Sequence, residues 1–494
     1  MVMRLRELIE GLMPVTVTGD CVIAGLSCDS RNVGEGDLFF AVKGEHFDGN
    51  EFIKDALMKR AGAVVSESPL TLTVDVPYVQ VQDIYTAMAG IADRFYGHPS
   101  GMLSITGITG TNGKTTTSYI LHNILSVDGI NAGLIGTIRY ILGPRELTGR
   151  FTTPEAPDFQ RMLAAMYDGG ITHAVTEVSS HALSLKRVDF TDFDIAVFTN
   201  LTRDHLDFHG DMEAYYRAKQ RLFLELTRHA AVVNIDDPYG RRLVKEIRGC
   251  LSQGADFRII TCGMDSDDAE LRAVEIKEGF EGLDFTVMYG SEVFHVGSPL
   301  IGVTNVYNIL SAIGASVASG TGWERIVEGV RQCSGVEGRM EPVKAGQGFL
   351  AIVDYAHTPD ALQKVLETLR RLTRGRIITV FGCGGDRDRG KRPEMGRIAA
   401  ELSDTAIVTS DNPRTEYPAG IVDDIIGGME KGEYIVEPDR KRAIEEAVRI
   451  AGPDDVVLIA GKGHEEYQEI AGVRYPFSDR EVLRGAIRGL TIED

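Results

Sequence analysis

The stretch MLSITGITGTNGKTTTSYILHNILSV, residues 102–127, decides the fold class of this 494-residue chain. Its first part is an apolar run typical of a buried strand, and its last part has the pattern of a helix. Between them lies GTNGKTT, whose glycines let backbone N–H groups turn towards an anion at the start of the helix. A strand that passes through such a loop into a helix predicts a phosphate-binding loop, and therefore an ATP site.

The loop departs from the strict phosphate-loop pattern at one position. That pattern has a glycine at residue 108, where this chain has Ile108, and the glycines stand instead at 107 and 110. A glycine-rich turn with an incidental lysine is the alternative, which the flanking strand and helix disfavour. We expect Lys114 to reach the β- and γ-phosphates and Thr115 to place a hydroxyl on Mg²⁺. The ATP-binding residues predicted from the loop are Gly110, Thr111, Asn112, Gly113, Lys114, Thr115 and Thr116.

Composition and charge narrow the class of protein. The formal net charge is −20, with 43% hydrophobic and 25% charged residues. These proportions are ordinary for a soluble globular protein, and the negative charge disfavours a nucleic-acid or anionic-membrane surface. The six cysteines form no CxxC pair, which favours free thiols in a reducing compartment. The N-terminus has no signal-peptide core and no 18-residue apolar run occurs, so we expect a cytoplasmic protein.

Strand and helix patterns alternate from residue 100 onwards, which predicts mostly parallel sheets with helices on both faces. The turn-rich stretch RFYGHPSG and the break at SGVEGRMEPV mark two boundaries. We therefore predict an α/β protein of three domains. They are a small N-terminal α/β domain (1–99), a central domain with the phosphate loop and a mostly parallel sheet (100–337), and a C-terminal Rossmann-like domain (338–494).

Three side chains outside the loop are candidates for the chemistry at the phosphates. Glu177 ends one apolar run and His205 follows the next, where α/β sheets place their functional groups. Hard oxygen ligands suit Mg²⁺ beside a triphosphate. Taken alone, such residues are more often structural, and Lys219 on a helix face is ordinarily a solvated lysine.

Nine motifs follow one another along the chain, namely GTNGKTT, TTPEAPDFQRML, EVSSHAL, FTNLTRDHLDFHG, AKQRLF, DYAHTPDAL, GCGGDRDRGKRPEMG, DNPRTE and GKGHE. Together they resemble the Mur ligases of peptidoglycan synthesis, and the similarity runs from Asp29 to Glu465. Within that family the match is to the enzymes that add the third amino acid. The resemblance implies an ATP-dependent, ADP-forming ligase that joins meso-2,6-diaminopimelate to UDP-N-acetylmuramoyl-L-alanyl-D-glutamate through an acyl phosphate. It also implies a role in cell-wall biogenesis, cell shape and cell division.

The resemblance also implies roles around the phosphates. It implies that Lys219 is carbamylated to N6-carboxylysine, which turns a cation that would repel Mg²⁺ into an anion. Catalysis is then assigned to Lys114, Lys219, Glu177 and His205, and the metal ligands are Thr115, Glu177, His205 and the carbamate of Lys219. The further implied ATP contacts are Asn305, Asn308, Arg339 and Asp354.

The acceptor contacts implied by the resemblance begin in the N-terminal domain, which would bind the uridine nucleotide. Two positions depart from the family pattern, because Phe151 stands where asparagine is expected and Leu185 where glutamine is expected. The matching positions for the UDP-muramoyl-dipeptide are Cys28, Ser30, Glu45, His46, Phe47, Thr152, Thr153, Ser179 and Arg187.

The stretch SDNPRTE, residues 410–416, indicates which amine is added. Diaminopimelate is lysine with one more carboxylate at its far end, and the planar fork of Arg414 suits that carboxylate. The alternative is that Arg414 caps a neighbouring helix or pairs with Glu416, as most surface arginines do. The implied diaminopimelate-binding residues are Arg387, Asp411, Asn412, Pro413, Arg414, Gly461 and Glu465.

Other activities stay open at this point. A Mur-type ligase that adds L-lysine is the nearest alternative, followed by a ligase similar to folylpolyglutamate synthase. A phosphate-loop ATPase without ligation is a different class, and a nicotinamide-dependent dehydrogenase is disfavoured because no convincing GxGxxG opens a helix after a strand. We expect a monomer that binds neither nucleic acid nor membrane.

Overall fold

The computed structural model describes residues 2–12, 14–44, 47–69, 75–251, 256–430 and 432–493. The chain separates into two units. Unit 1 comprises Met1–Arg272 and Tyr307–Gly329, and unit 2 comprises Ala273–Val306 and Val330–Asp494. No helix in the described part of the chain has the length and apolarity needed to cross a membrane.

The first part of unit 1 folds around a five-stranded sheet. The helix Ile84–Phe95 begins at Asp83, because this carboxylate accepts hydrogen bonds from the N–H groups of Tyr85 and Thr86. In spatial order the strands are Thr16–Val17, Tyr78–Gln80, Ala63–Ser66, Asp37–Phe40 and Gly25–Ser27, the first pair antiparallel and the others parallel. The remaining elements are the antiparallel pair Met3–Arg4 with Val22–Ile23 and the helical segments Leu5–Leu8, Ser30–Asn32, Gly49–Phe52, Ile53–Met58 and Pro99–Met102.

The second part of unit 1 is built on a larger, mostly parallel sheet. Its central strands are apolar throughout, because helices cover both faces. In spatial order the strands are Arg145–Thr148, Arg139–Leu142, Ala132–Ile135, His173–Glu177, Ser104–Thr109, Phe193–Phe198, Thr227–Asn234, Arg258–Gly263 and the start of Leu271–Gly279; the pairs from Ala132–Ile135 onwards are parallel. The helices are Lys114–Val127, Ala156–Asp168, Ser180–Ser184, Leu206–His209, Met212–Leu224 and Pro238–Cys250, with Thr304–Ala318 and Trp323–Gln332 later in the chain.

The carboxyl ends of these parallel strands bring distant motifs to one edge of the sheet. Glu177 ends its strand opposite Ile108, and Phe198 ends its strand opposite Thr109. The phosphate loop follows Thr109 directly, and residues 199–205 follow Phe198. Residues far apart in the sequence therefore meet at the place where α/β sheets bind their ligands.

Unit 2 has its own sheet, and apolar side chains pack on both faces of it. Phe381 and Leu366 belong to the core of one face, and Val380 and Ile444 belong to the core of the other. In spatial order the strands are Glu341–Pro342, Leu350–Asp354, Val456–Ala460, Ile377–Phe381, Thr405–Val408 and Tyr434–Val436, the first pair antiparallel and the others parallel. The helices are Pro359–Leu372, Lys391–Leu402, Pro418–Ile426, Arg440–Ile450 and Asp479–Glu493, and two hairpins pair Gly282–Tyr289 with Glu292–Ser298 and Tyr467–Ile470 with Val473–Pro476.

The fold class expected from the sequence is confirmed. The chain is α/β, with a large and mostly parallel central sheet and a separate C-terminal sheet that is also mostly parallel. This arrangement agrees with the alternation of strand and helix patterns from which it was predicted.

Candidate active site

The phosphate loop has a backbone that requires glycine at two positions. Gly110 has φ +150° and Gly113, which caps the helix Lys114–Val127, has φ +88°. A Cβ atom at Gly110 would overlap the hydroxyl of Thr199, and one at Gly113 would overlap the amide of Asn308. The loop is therefore closely packed and has a backbone that glycine adopts without strain, so larger residues at these positions are excluded.

Residues after the neighbouring strand clamp the loop from the side. Asn112 donates its N–H to Asn200 Oδ1 at 2.9 Å, and Thr199 Oγ1 donates to the Asn112 carbonyl at 2.6 Å. Lys114 Nζ donates to the carbonyls of Gly110 and Thr111, both at 3.0 Å. The ammonium of Lys114 thus lies over the loop, where phosphate oxygens would bind.

Glu177 is a fully buried carboxylate held by neutral donors. Its oxygens accept hydrogen bonds from Thr115 Oγ1 at 3.0 Å, from the N–H of Thr137 at 2.8 Å and from Thr137 Oγ1 at 3.0 Å. No ion pair involves Glu177 in the described part of the chain. A buried negative charge without a cation is unfavourable, so the site fits a hard metal ion at Glu177 and the Thr115 hydroxyl.

Lys219 is buried, with 1% of its surface exposed, so it is not the solvated lysine that its helix face suggested. Its Nζ donates to the Gly110 carbonyl at 2.8 Å and lies 4.6 Å from the ring centre of Tyr215. Burial, reinforced by the charge of Lys114, lowers the pKa of Lys219 well below its ordinary value. The uncharged amine is the form that reacts with CO₂, which fits the expected carbamate.

His205 lies in a group of aromatic rings at the same edge of the sheet. Its backbone is left-handed, with φ +54°, and its ring meets that of His181 edge-on at 4.7 Å between centroids. The ring of His209 also contacts that of His181, and its Nε2 shares a hydrogen bond with Ser180 Oγ at 2.9 Å. Burial lowers the pKa of His181 and His209 to about 4 and lowers that of His205 as well. Both additional histidines lie in motifs quoted from the sequence, yet nothing in their spacing identified them.

The expected metal ligands do not form a complete site from ordinary side chains alone. No group of three or more His, Cys, Asp or Glu side chains is placed to hold a metal ion in the residues that the structure describes. Oxygen donors from a carbamate at Lys219 and from a triphosphate would supply what Thr115 and Glu177 lack. The donor chemistry therefore fits Mg²⁺ bound together with ATP.

Polar residues expected to hold the acceptor peptide lie beside Glu177. Thr153 Oγ1 donates to the Glu177 carbonyl at 2.8 Å and accepts the N–H of Ser179 at 3.1 Å. Arg187 pairs with Glu155 at 2.5 Å and donates to the Thr153 carbonyl at 3.1 Å. The hydroxyls of Thr152 and Thr137, the threonine that holds Glu177, lie 3.0 Å apart. These residues form one network around the carboxyl end of the strand His173–Glu177.

Of the two departures from the family pattern, Phe151 lies at this network. Phe151 is 55% exposed, and its ring centre lies 5.9 Å from the guanidinium carbon of Arg187. Leu185 ends the helix Ser180–Ser184. An apolar ring next to Arg187 thus replaces the hydrogen-bonding side chain that the family pattern has there.

The expected nucleotide-sugar contacts in the first part of unit 1 are only partly described. Cys28 packs against the core that includes Ala156, and burial, with the nearby Glu155 charge, raises the pKa of its thiol to about 12. Ser30 begins a short helical turn capped by Asp29. Phe47 is exposed, and Glu45 and His46 lie outside the described residues.

The remaining expected ATP contacts are divided between the units. In unit 1, the buried Asn308 accepts a long hydrogen bond from Thr117 Oγ1 at 3.5 Å, and Thr116 is buried in the same helix as Thr117. In unit 2, Asn305 Nδ2 donates to the Ile301 carbonyl at 2.8 Å.

Arg339 and Asp354, the other expected ATP contacts, belong to unit 2. The Arg339 guanidinium lies 4.6 Å from the ring centre of Tyr355, and its Nε is buried without a hydrogen-bond partner among the described residues. Asp354 accepts the N–H groups of Met340 at 2.6 Å and Ala356 at 2.7 Å, and burial raises the pKa of its carboxyl. The unsatisfied Nε and the buried acid mark a polar site in unit 2 that a ligand would complete.

The DNPR loop of unit 2 holds its arginine in an unusual backbone conformation. Arg414 has φ +51°, its N–H donates to the Glu469 carbonyl at 3.0 Å, and its Nη1 donates to the Gly385 carbonyl at 2.7 Å. Glu416 pairs with the buried Arg392 instead, at 2.7 Å. No ion pair involves Arg414 in the described part of the chain, so its alternative assignment as a partner of Glu416 is wrong.

The other expected amine-site residues surround this loop. Asp411 and Asn412 are buried, and Asn412 Nδ2 donates to Glu465 Oε2 at 2.8 Å. Gly461 has φ +117°, and a Cβ atom there would lie 2.6 Å from Asp411 Oδ2. Pro413 is buried, whereas Arg387 is exposed and donates to the Asp386 carbonyl at 3.1 Å. Carboxylates, an amide and a cation thus lie around this loop, which suits a zwitterion. We call Asp411, Asn412, Arg414, Gly461 and Glu465 the amine pocket.

Comparisons with known proteins agree with this geometry. Three family models match the chain: the catalytic domain of the Mur ligase family over residues 22–96, the Mur ligase middle domain over 108–316 and the Mur ligase glutamate ligase domain over 338–463. A protein of Geobacter metallireducens is 43% identical over 99% of both chains. One of Clostridioides difficile is 43% identical over 97% of this chain and 98% of its own.

Both relatives are named UDP-N-acetylmuramoyl-L-alanyl-D-glutamate–2,6-diaminopimelate ligase. A solved structure of a protein with the same name is 34% identical, with a TM-score of 0.69 over 99% of this chain and 100% of that one. The family models and the full-length relatives together show that this chain belongs to the Mur ligase family.

Proposed function

We propose that this chain is an ATP-dependent ligase that adds meso-2,6-diaminopimelate to UDP-N-acetylmuramoyl-L-alanyl-D-glutamate. The observation that carries the proposal is Arg414, a cation without an ion-pair partner in the described part of the chain, on the same loop as Asp411 and Asn412. A planar guanidinium binds a carboxylate through two parallel hydrogen bonds, and diaminopimelate differs from lysine by one carboxylate. Relatives named for this reaction match the chain over almost its full length.

The first chemical step activates the acceptor. A carboxylate oxygen of the D-glutamyl residue attacks the γ-phosphorus of ATP, the bond to the β-phosphate oxygen breaks, and an acyl phosphate and ADP form. Lys114 and the N–H groups of the phosphate loop would neutralise the transferred group and align it. Thr152, Thr153, Ser179 and Arg187 would hold the acceptor peptide next to the loop.

Mg²⁺ would be held by Thr115, Glu177, His205 and the carbamate of Lys219. When bound, the ion would neutralise phosphate oxygens. The proposal rests on the burial of Glu177 without a cation and on the lowered pKa of Lys219. Thr115 and Thr137 hold the Glu177 carboxylate in place for this role.

The second step forms the amide. The uncharged amine nitrogen of diaminopimelate attacks the acyl carbon, the carbon–oxygen bond to phosphate breaks, and the nitrogen releases a proton. Arg414 would bind the distal carboxylate of the substrate, and Asp411 and Glu465 would receive its distal ammonium. As a substrate, L-lysine would lack the carboxylate that contacts Arg414, and this difference is the basis of the proposed preference for diaminopimelate.

Phosphate release measured with three amine conditions tests the proposal. ATP and UDP-N-acetylmuramoyl-L-alanyl-D-glutamate are supplied with meso-diaminopimelate, with L-lysine or without amine. We expect release that depends on diaminopimelate, with lysine close to the background. Equal use of lysine would keep the ligation and refute the role of Arg414. Release that ignores both amines would indicate an ATPase without ligation.

The organisation of the protein is part of the proposal. We propose three domains with boundaries near residues 99 and 337, a monomeric state and a cytoplasmic location. The places of the three family-model matches along the chain support the boundaries. Sedimentation of the full chain tests the monomeric state, for which a mass near 54.0 kDa is expected.

A further inference from the structure

A fully buried lysine that the proposed reaction does not use lies within the amine pocket of unit 2. The side chain of Lys462 has 0% exposure. Its Nζ donates to Asn412 Oδ1 and to Glu465 Oε2, each at 3.0 Å, and lies 4.0 Å from Asp411 Oδ1. A buried cation persists only when its surroundings satisfy it, so these partners and Lys462 form one structural group.

Lys462 determines how the Asn412 amide is oriented. Asn412 Oδ1 accepts a hydrogen bond from Lys462 Nζ and another from the N–H of Glu469 at 2.9 Å. With two donors facing the oxygen, the nitrogen of the amide must face Glu465 Oε2, to which it donates at 2.8 Å. The reversed amide would place an N–H group against two donors and leave Glu465 without this contact.

The same contacts leave one carboxylate oxygen of Glu465 available. Oε2 accepts from both Lys462 and Asn412, whereas Oε1 has no hydrogen-bond partner among the described residues. The Glu465 side chain is 18% exposed, so Oε1 can accept a donor from a bound ligand. A carboxylate anchored by one oxygen presents the other in a fixed direction, as a binding site for an ammonium requires.

The charges in the pocket point to the same role. Asp411 and Glu465 both face Lys462, and their mutual repulsion would move them apart if the lysine charge were absent. Arg414 follows Asn412 by two positions in the loop and donates to the Gly385 carbonyl. Lys462 Nζ lies within 4.0 Å of both carboxylates and keeps them together. The buried Arg440 is paired with Asp479 and acts on the two carboxylates only through its charge, while Arg414 stays available to the substrate carboxylate.

We propose that Lys462 is a positioning residue that fixes Glu465, through the Glu465–Asn412 contact and its own ion pair, to receive the distal ammonium of the amine substrate. This inference rests on the proposed function. Lys462 itself needs no contact with the substrate, since its donors face Asn412 and Glu465.

A set of four variants tests the inference in the full chain: Lys462→Met, Glu465→Gln, the double variant, and Lys441→Met as the control. Lys441 is 64% exposed on the helix Arg440–Ile450 and contacts none of the pocket residues named above. The Michaelis constants for diaminopimelate, the muramoyl acceptor and ATP are measured separately, after thermal unfolding has shown which variants are folded.

We expect Lys462→Met to raise the KM for diaminopimelate at least about tenfold while the KM values for acceptor and ATP change less than about twofold. Lys441→Met should match the wild type. Because Lys462 acts through Glu465, its loss should add at most about threefold to the effect of Glu465→Gln. Lys462→Met alone leaves the Glu465 charge buried without its partner and could fail to fold for that reason. The double variant removes both charges of the ion pair, so its KM for diaminopimelate can still be compared with that of Glu465→Gln.

An unchanged KM for diaminopimelate in a folded Lys462→Met variant would overturn the inference. So would a double variant whose KM is the product of the two single effects, because independent residues behave in that way. Failure of the wild type to use diaminopimelate would instead refute the proposed function, and the two failures are therefore distinguishable.

Discussion

The phosphate loop of unit 1 and the amine pocket of unit 2 both lie after the carboxyl ends of parallel strands, but they are assembled differently. The phosphate loop is one continuous segment, residues 110–116, after the strand Ser104–Thr109. The amine pocket takes residues from loops after three strands and from the hairpin that contains Glu469. One short motif specifies the first site, whereas the second depends on several loops keeping their relative positions.

The two sites also differ in how their charges are satisfied. In unit 1 the lysines donate to backbone carbonyls, and Glu177 is held by hydroxyl and N–H donors. In unit 2 the carboxylate of Glu465 is paired with the buried Lys462. The first site therefore fits a ligand that brings both phosphate charge and a cation. The second is largely balanced within itself, as suits a zwitterionic amino acid.

The largest expected effect tests the metal site proposed in unit 1. Replacing Lys219 with alanine should lower turnover about 100-fold or more, because the variant cannot form the carbamate that we propose as a ligand of the metal ion. Acetate added in solution should restore part of the activity by supplying a carboxylate to the vacated space. Replacing Lys245, an exposed lysine of unit 1, is the control. Full activity of the Lys219 variant would show that no carbamate is needed.

A second prediction concerns the carboxylate end of the amine pocket. Arg414→Lys keeps the charge but removes the planar fork, so kcat/KM for diaminopimelate should fall about 10- to 100-fold. The rate with L-lysine, which lacks the distal carboxylate, should stay within about twofold. Steady-state phosphate release with each amine measures kcat/KM for diaminopimelate and the rate with L-lysine. Equal losses of kcat/KM for the two amines would mean that Arg414 supports the fold of the loop and does not bind the distal carboxylate of the substrate.

The third prediction concerns the backbone that holds the pocket together. Gly461→Ala should destabilise the protein by about 1–3 kcal/mol, because φ of +117° is unfavourable for alanine and its Cβ would lie 2.6 Å from Asp411 Oδ2. Gly420 is a matched control in the helix Pro418–Ile426, where an added Cβ atom would have no neighbour within 4 Å. Gly420→Ala should stabilise by about 0.5–1 kcal/mol. Urea unfolding of both variants measures the difference, and similar values would contradict the role of strain at Gly461.

The smallest effect concerns thiols in the two regions. Burial raises the pKa of Cys28, near the acceptor residues, and of Cys383, after the strand Ile377–Phe381, to about 12. At pH 8 only about one thiol in ten thousand would then be ionised, so iodoacetamide should leave both unmodified. The exposed Cys250 should be alkylated under the same conditions. Mass spectrometry of the labelled chain measures this, and rapid labelling of Cys28 would show that its surroundings open.

Much of the fold and of the family assignment was predictable from the sequence. The α/β class is confirmed because strand and helix periods are local patterns, and the Mur ligase family is confirmed by the models and relatives that match the chain. The site residues stay predictions, although the structure brings the phosphate loop, Glu177 and Lys219 together. Glu45 and His46 lie outside the described residues and gain no structural support.

The residues that escaped prediction are those whose role depends on neighbours distant in sequence. Thr137 holds Glu177 from 40 positions away, and Lys462 holds Asn412 from 50 positions away. Neither has a spacing that marks it in the chain. The burial of Lys219 was not predicted for the same reason, because a helical pattern shows which residues share a face but not what covers that face.

By itself, the sequence determined the α/β class, the phosphate loop and the order of the Mur ligase motifs, since each of these is written in contiguous residues. The tertiary structure alone decided that Glu177 has neutral donors, that Lys219 is buried, that Glu416 belongs to Arg392 and that Lys462 anchors Glu465. The physical reason is that charge pairing and burial depend on distances in space, which parallel strands set by bringing separate loops to one edge of a sheet.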